Sequence, residues 1–431
     1  MIPNMKHLTH LLAASLILVS TQAGGETLEE AWTAALGAHR HIAAATANRN
    51  AATFELEQAE AARLPQLGLS GAYTALDEAP GFSFGGITTD PIFAGDDFFS
   101  AGAQINLPVY AGGAINAGVE AAEFGVSAAS SQLAVVTQEI RLGAAEHYFA
   151  VLRAESAVTV AESYASSLRT HTDDTRSRFE YGDVPRNDFL AASVTLADAE
   201  QQLLQAQNNL DHARAAYNRF LGRPLTDPVS LDRNVGVDNV LPSGAGLQEL
   251  ISIAREQRHE LDALDAHADS LMRQADRARA AARPQLALTG GYQYLENEFL
   301  TRDQFWMAGV AVRWNLFDGG QARKKSASLE QKAIAVDHNR ADLDSQISLQ
   351  VRRAWNDRIE AENRFTFATD AVAQSEENLR VVRERYQAGS SRNVEVLDAA
   401  ALHERTLSNR DDARFEVALS KLRLARATGM L

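Results

Sequence analysis

Four stretches of the chain alternate strictly between two kinds of side chain, and this limits the possible folds more than any other feature. From Gln66 to Leu76, the residues Leu67, Leu69, Gly71 and Tyr73 alternate with Gln66, Gly68, Ser70, Ala72 and Thr74. From Phe99 to Val109, Phe99, Ala101, Ala103, Ile105 and Leu107 alternate with Ser100, Gly102, Gln104 and Asn106. Two later stretches, 285–294 and 305–316, carry Leu286, Leu288, Gly290, Tyr292 and Tyr294, then Trp306, Ala308, Val310, Val312 and Trp314. Successive residues of a strand face opposite ways, so each stretch predicts a two-faced β-strand. About ten residues with aromatic ends also fits a tilted strand that crosses a bilayer. A soluble hairpin with one wet face shows the same alternation. A membrane sheet must close, and the smallest barrels have about eight strands. Four strands cannot close alone. Two copies give about eight strands and a barrel filled by its own side chains, whereas three give about twelve, with room for a passage.

The strands belong to an internal duplication. Arg63-Leu64-Pro65-Gln66-Leu67 is echoed by Arg283-Pro284-Gln285-Leu286, with Pro65 matching Pro284 at an offset of 219. Val109-Tyr110-Ala111-Gly112-Gly113 is echoed by Leu316-Phe317-Asp318-Gly319-Gly320, and Arg178-Phe179-Glu180-Tyr181-Gly182 by Arg385-Tyr386-Gln387-Ala388-Gly389, both at an offset of 207. The loop between the first two strands is therefore 12 residues longer in the first copy. A unit of this size reads as a duplicated domain, not a solenoid module. The expected organisation is a signal peptide at 1–23, a first repeat at 24–222, a linker at 223–246 and a second repeat at 247–431.

Each repeat pairs its strands with helices. An Ala-rich helix is predicted over Glu26 to Arg63, stopped by Pro65. Long helices follow the second strand of each copy, at 114–180 and 321–387, each about 100 Å at 1.5 Å per residue. Return helices are predicted at 185–221 and 391–427. Placed end to end, the shorter helices match the long ones in span and form a rod. The first return helix carries a heptad, with Phe189, Leu196, Leu203, Leu210 and Tyr217 at one position and Ala192, Ala199, Ala206, Ala213 and Phe220 three residues later. That seam fits packing against a neighbouring helix. The second copy lacks it, having Val396, His403, Arg410, Val417 and Leu424 instead. The tip turns fall at Gly182 and Gly389, where a left-handed helix end suits glycine. Pro185 and Ser390 or Ser391 are placed to start the return helices.

Composition narrows the function. Lys6, the apolar Leu11 to Val19 and the small residues near Ala23 read as a secretory signal. No later apolar run reaches about 18 residues, so no transmembrane helix is expected. A net charge of −15 argues against a nucleic-acid partner. The absence of cysteine excludes disulfides, thiolate metal sites and a lipidated N-terminal cysteine. The sequence has no nucleophile elbow, P-loop or dinucleotide fingerprint. His39 and His41 point to different faces of a helix, and the other histidines are scattered. No catalytic, cofactor or metal site is predicted.

Taken together, Leu64-Pro65-Gln66-Leu67, the two Gly-Gly strand exits and the two tip motifs resemble the TolC family of outer-membrane factors. The resemblance covers nearly all of the mature chain. It implies an α+β membrane protein, a homotrimer whose four strands per protomer make a 12-stranded barrel in outer-membrane lipid, and a helical barrel through the periplasm. The implied partners are a periplasmic adaptor and an inner-membrane transporter in an efflux or type I secretion system. The other reading from the residues is an elongated periplasmic spacer without a pore. Where many relatives have Asn-Pro, this chain has His39-Arg40-His41 and Arg258-His259-Glu260. The resemblance implies an aperture lined by Glu395 and Asp398, which lie three apart and so share a helix face. It also implies a latch between Asp188 and Tyr386 of neighbouring tips. The family's latch arginine falls on Ser391, with Arg392 adjacent. The acidic loop 77–97, with Asp77, Glu78, Asp90, Asp96 and Asp97, is expected to face the exterior.

Overall fold

The computed structural model describes residues 25–78, 81–85, 87–91, 96–237, 240–242, 244–297 and 301–431. The signal segment lies outside the described residues. The alternating stretches form β1 (Gln66–Ala75), β4 (Asp97–Tyr110), β5 (Gln285–Leu295) and β6 (Gln304–Arg313). They pair antiparallel in the order β1-β4-β5-β6. β6 ends at Arg313, short of the expected 316, and the Trp314 indole donates to the Ala282 carbonyl at 3.2 Å.

The register decides what the sheet presents. Leu67 lies opposite Ile105, Ile105 opposite Gly290, and Gly290 opposite Ala308. Leu69, Ala103, Tyr292 and Trp306 form a second row across all four strands. Directly opposed residues share a face. One face is therefore apolar except for Gln304 at the end of β6, and the other carries Gln66, Asn106 and Thr289 in one row and Gly68, Gln104 and Gly291 in the next. The sheet is a single layer with no helix over it among the described contacts. Leu69 and Trp306 are each 81% exposed. A hairpin, β2 (Gly81–Phe84) with β3 (Ile87–Pro91), occupies the longer first loop, where the sequence predicted loop alone. Its runs of four and five residues are too short for period-two alternation to register.

The first helix is two helices, not one. α1 (Leu28–Ala38) opens with a capping box between Thr27 and Glu30. The chain breaks at His39, which is extended at φ −73° and ψ 125°, and α2 (Arg40–Ala61) continues. No proline marks the break, although Gly37 lies in the last turn of α1; burial of one face of α1 accompanies it. Leu28, Ala31 and Ala35 turn into a core with Tyr148, Phe149, Leu152, Val229 and Leu231, which draws α1 against the linker. The Tyr148 hydroxyl lies 2.7 and 2.8 Å from the carbonyl oxygens of Glu26 and Asp232. The second copy breaks in the same way at Arg258, between α5 (Leu247–Gln257) and α6 (His259–Ala280).

Two long helices, α3 (Ala114–Tyr181) and α7 (Gln321–Gln387), are followed by α4 (Arg186–Phe220) and α8 (Asn393–Thr428). α2 lies on α3 near the sheet, where Arg63 reaches Asn116 at 3.2 Å. α4 lies on α3 toward the tip, through Arg214–Glu155 and Arg169–Glu200. The heptad alanines Ala192 and Ala199 and the heptad Tyr217 are buried in this packing. α6 and α8 lie between the long helices. Ser270 donates to the Ala121 carbonyl on one side and Asp265 pairs with Arg340 on the other. In α8, Glu416 pairs with Arg153 while His403 meets Ser375. α8 has two long neighbours where α4 has one, which explains why only α4 carries a simple heptad. The columns thus run α2/α4, α3, α6/α8, α7. This is the same order as the strands they continue.

Candidate functional site

The tip is built twice by one piece of local chemistry. Gly182 at φ 83° and Gly389 at φ 75° sit in the left-handed region that only glycine enters without strain. Asp183 N–H donates to Arg178 O and Ser390 N–H to Arg385 O, each at 2.8 Å, the long bond of a Schellman motif. The return helices are capped by Pro185 and Arg392, which are equivalent at offset 207. Neither Ser390 nor Ser391 is the cap, contrary to the sequence expectation. Ser390 Oγ instead donates to Arg385 O at 3.0 Å, and Ser391 Oγ donates to a Glu395 carboxylate oxygen at 2.7 Å.

Beneath the turns, three helices are tied together by polar contacts. The His171 ring on α3 meets Asn393 Oδ1 on α8 at 2.7 Å, and Asn393 Nδ2 donates to the Asp188 carbonyl on α4 at 3.0 Å. Burial pushes the His171 imidazole below its usual pKa, with Arg383 and Arg178 adding to the shift against Asn393 and Asp174. Tyr386 is 5% exposed. The Arg178 guanidinium lies 5.1 Å from the centre of its ring and His171 lies 5.3 Å away. Its hydroxyl has no partner within the described chain.

The predicted residues are divided among these surroundings. Glu395 and Asp398 share the start of α8 but differ in environment. Glu395 accepts from Ser391 and from Arg392 Nε at 3.1 Å. The Ser391 hydroxyl and then the Arg392 guanidinium hold its carboxyl below the usual range. Asp398 is exposed and makes no hydrogen bond or ion pair among the described residues. The Asp188 carboxylate takes only Asn187 Nδ2, at 3.3 Å, and it does not meet Tyr386 inside one chain. Sequence reasoning missed His171 and Asn393. They lie 222 residues apart, and no local pattern joins them.

The outer membrane efflux protein profile matches residues 32–223 and 250–430. The chain belongs to that family. It is an outer-membrane protein of a channel family, not an enzyme, and it extends into the periplasm. It is 25% identical to the outer membrane protein TolC of Vibrio cholerae over 448 aligned positions, covering 99% of this chain and 96% of that one. The fold matches CusC with a TM-score of 0.80 at 19% identity, covering 96% and 95% of the two chains. It matches VceC from Vibrio cholerae with a TM-score of 0.78 at 18% identity, covering 93% and 96%.

Proposed function

We propose that three copies of this chain form the passive exit duct of a tripartite efflux or type I secretion system. The observation that carries the reading is the open sheet. Among the described residues, β1 and β6 each have one unpaired edge, and the face shared by all four strands is mainly apolar and uncovered. Unpaired strand edges inside lipid leave backbone groups unsatisfied, so the edges must meet other copies. Pooling four strands from each of three chains gives twelve, with Gln66, Gln104 and Asn106 facing a wet interior. The helix columns support the same closure. α7 at one edge exposes Ile359 and Phe367, and α4 at the other exposes Leu190, Val194 and Leu204.

The tip then narrows the duct, with the α8 face bearing Glu395 and Asp398 toward the aperture. Tyr386 and the neighbouring copy's Asp188 form the latch. The Asp188 carboxylate takes only Asn187 within its own chain, and the phenol, buried and unpartnered there, turns outward to reach it. A periplasmic adaptor engages the tip, and an inner-membrane transporter supplies the energy. A periplasmic spacer would leave the apolar sheet face with nothing to cover it. Planar-bilayer recording of the purified protein tests the duct. Discrete conductance steps are expected, and a fully inserted protein that passes no current overturns the reading.

A further inference from the structure

Arg392, Glu395 and Asp398 are spaced three apart at the start of α8, so they form a ladder of one cation and two acids on one face. We propose that Arg392 is a specificity-determining residue, a built-in counter-charge that cancels Glu395 and leaves Asp398 to set the field at the aperture. This rests on the placement of the α8 face at the aperture.

Three features of the structure carry the proposal. The Arg392 guanidinium closes on Glu395 at 3.1 Å, from the helix cap to the third residue of the first turn. The second oxygen of Glu395 is taken by Ser391, so both oxygens are engaged locally at a helix start that itself favours an anion. The other nearby cation, Arg385, is turned to the Ser390 carbonyl at 3.4 Å. Asp398 has none of these partners. The first copy lacks the device, because Pro185 occupies the position of Arg392 while Asp188 occupies that of Glu395. The same guanidinium is unavailable as the latch arginine while it holds Glu395. Its removal should therefore change which ions pass, not how firmly the tip is shut.

The test is the cation-to-anion permeability ratio in a potassium chloride gradient, with unitary conductance recorded alongside. R392Q should raise the ratio at least about twofold by exposing Glu395. E395Q should lower it by leaving Arg392 unpaired, and R392Q/E395Q should return it to the wild-type value. D398N should lower it, which places this face in the ion path. If D398N lowers the ratio while R392Q leaves it unchanged, the counter-charge is refuted and the aperture stands. If R392Q raises conductance at an unchanged ratio, Arg392 is a latch and the proposal fails. An unchanged ratio in D398N overturns the aperture placement itself.

Discussion

Removing the Glu260 carboxylate should open the joint between α5 and α6. Arg258 is only 5% exposed. Its Nε and one terminal nitrogen donate to the two Glu260 oxygens at 2.8 and 3.0 Å, and the other donates to Gln350 and to the Ala427 carbonyl, each at 3.0 Å. Arg426 donates to the same carboxylate at 2.8 Å. Burial alone would raise the Glu260 pKa, but the two guanidinia overcome it and hold the group at about 2, against an ordinary 4.5. Holding the carboxyl that far below its ordinary value corresponds to roughly 3 kcal/mol of stability at neutral pH. Leaving buried guanidinia unpaired costs a similar amount, about 3–5 kcal/mol. Glu260→Ala should therefore accelerate amide hydrogen exchange at the start of α6 by roughly a hundredfold at neutral pH. A depressed carboxylate contributes fully above its unfolded pKa. In the wild type this stability should persist above pH 4.5 and be lost progressively as pH falls toward about 2. Unchanged protection in the alanine variant at pH 7 would show that the ion pairs do not hold the joint.

Tyr386→Phe removes a hydroxyl that has no partner within its own chain, so single-channel conductance should rise as the contact with the neighbouring copy is lost. Equal conductance would exclude the phenol from the latch. Val310→Lys puts a charge mid-strand on the apolar face and should cost about 2–4 kcal/mol of membrane stability, read as loss of outer-membrane protein on fractionation. Gln104→Lys, on the opposite face of β4, should still insert and instead reduce cation preference; equal insertion of both variants would mean the faces are assigned wrongly.

The sheet was legible in the sequence because period-two alternation specifies register as well as strands. Any one-residue slip would carry Leu67 or Trp306 to the polar face. The duplication likewise located both tips, since a left-handed position rarely accepts anything but glycine. The break at His39 was not placed from the sequence, where Gly37 is the one local mark beside it. It accompanies burial of one face of α1 by Leu231 and Phe149, more than a hundred residues away. The same limit hid the His171–Asn393 contact and the different surroundings of Glu395 and Asp398. Spacing puts both acids on one face, but it does not show that Ser391 and Arg392 turn back onto only one of them.

The most direct test counts the chains that complete the barrel. Native mass spectrometry of the detergent-solubilised protein should give three times the mass of the mature chain, the number that turns four strands into twelve. A stable single chain, soluble without detergent, would contradict it, because its open sheet would then need neither lipid nor neighbours.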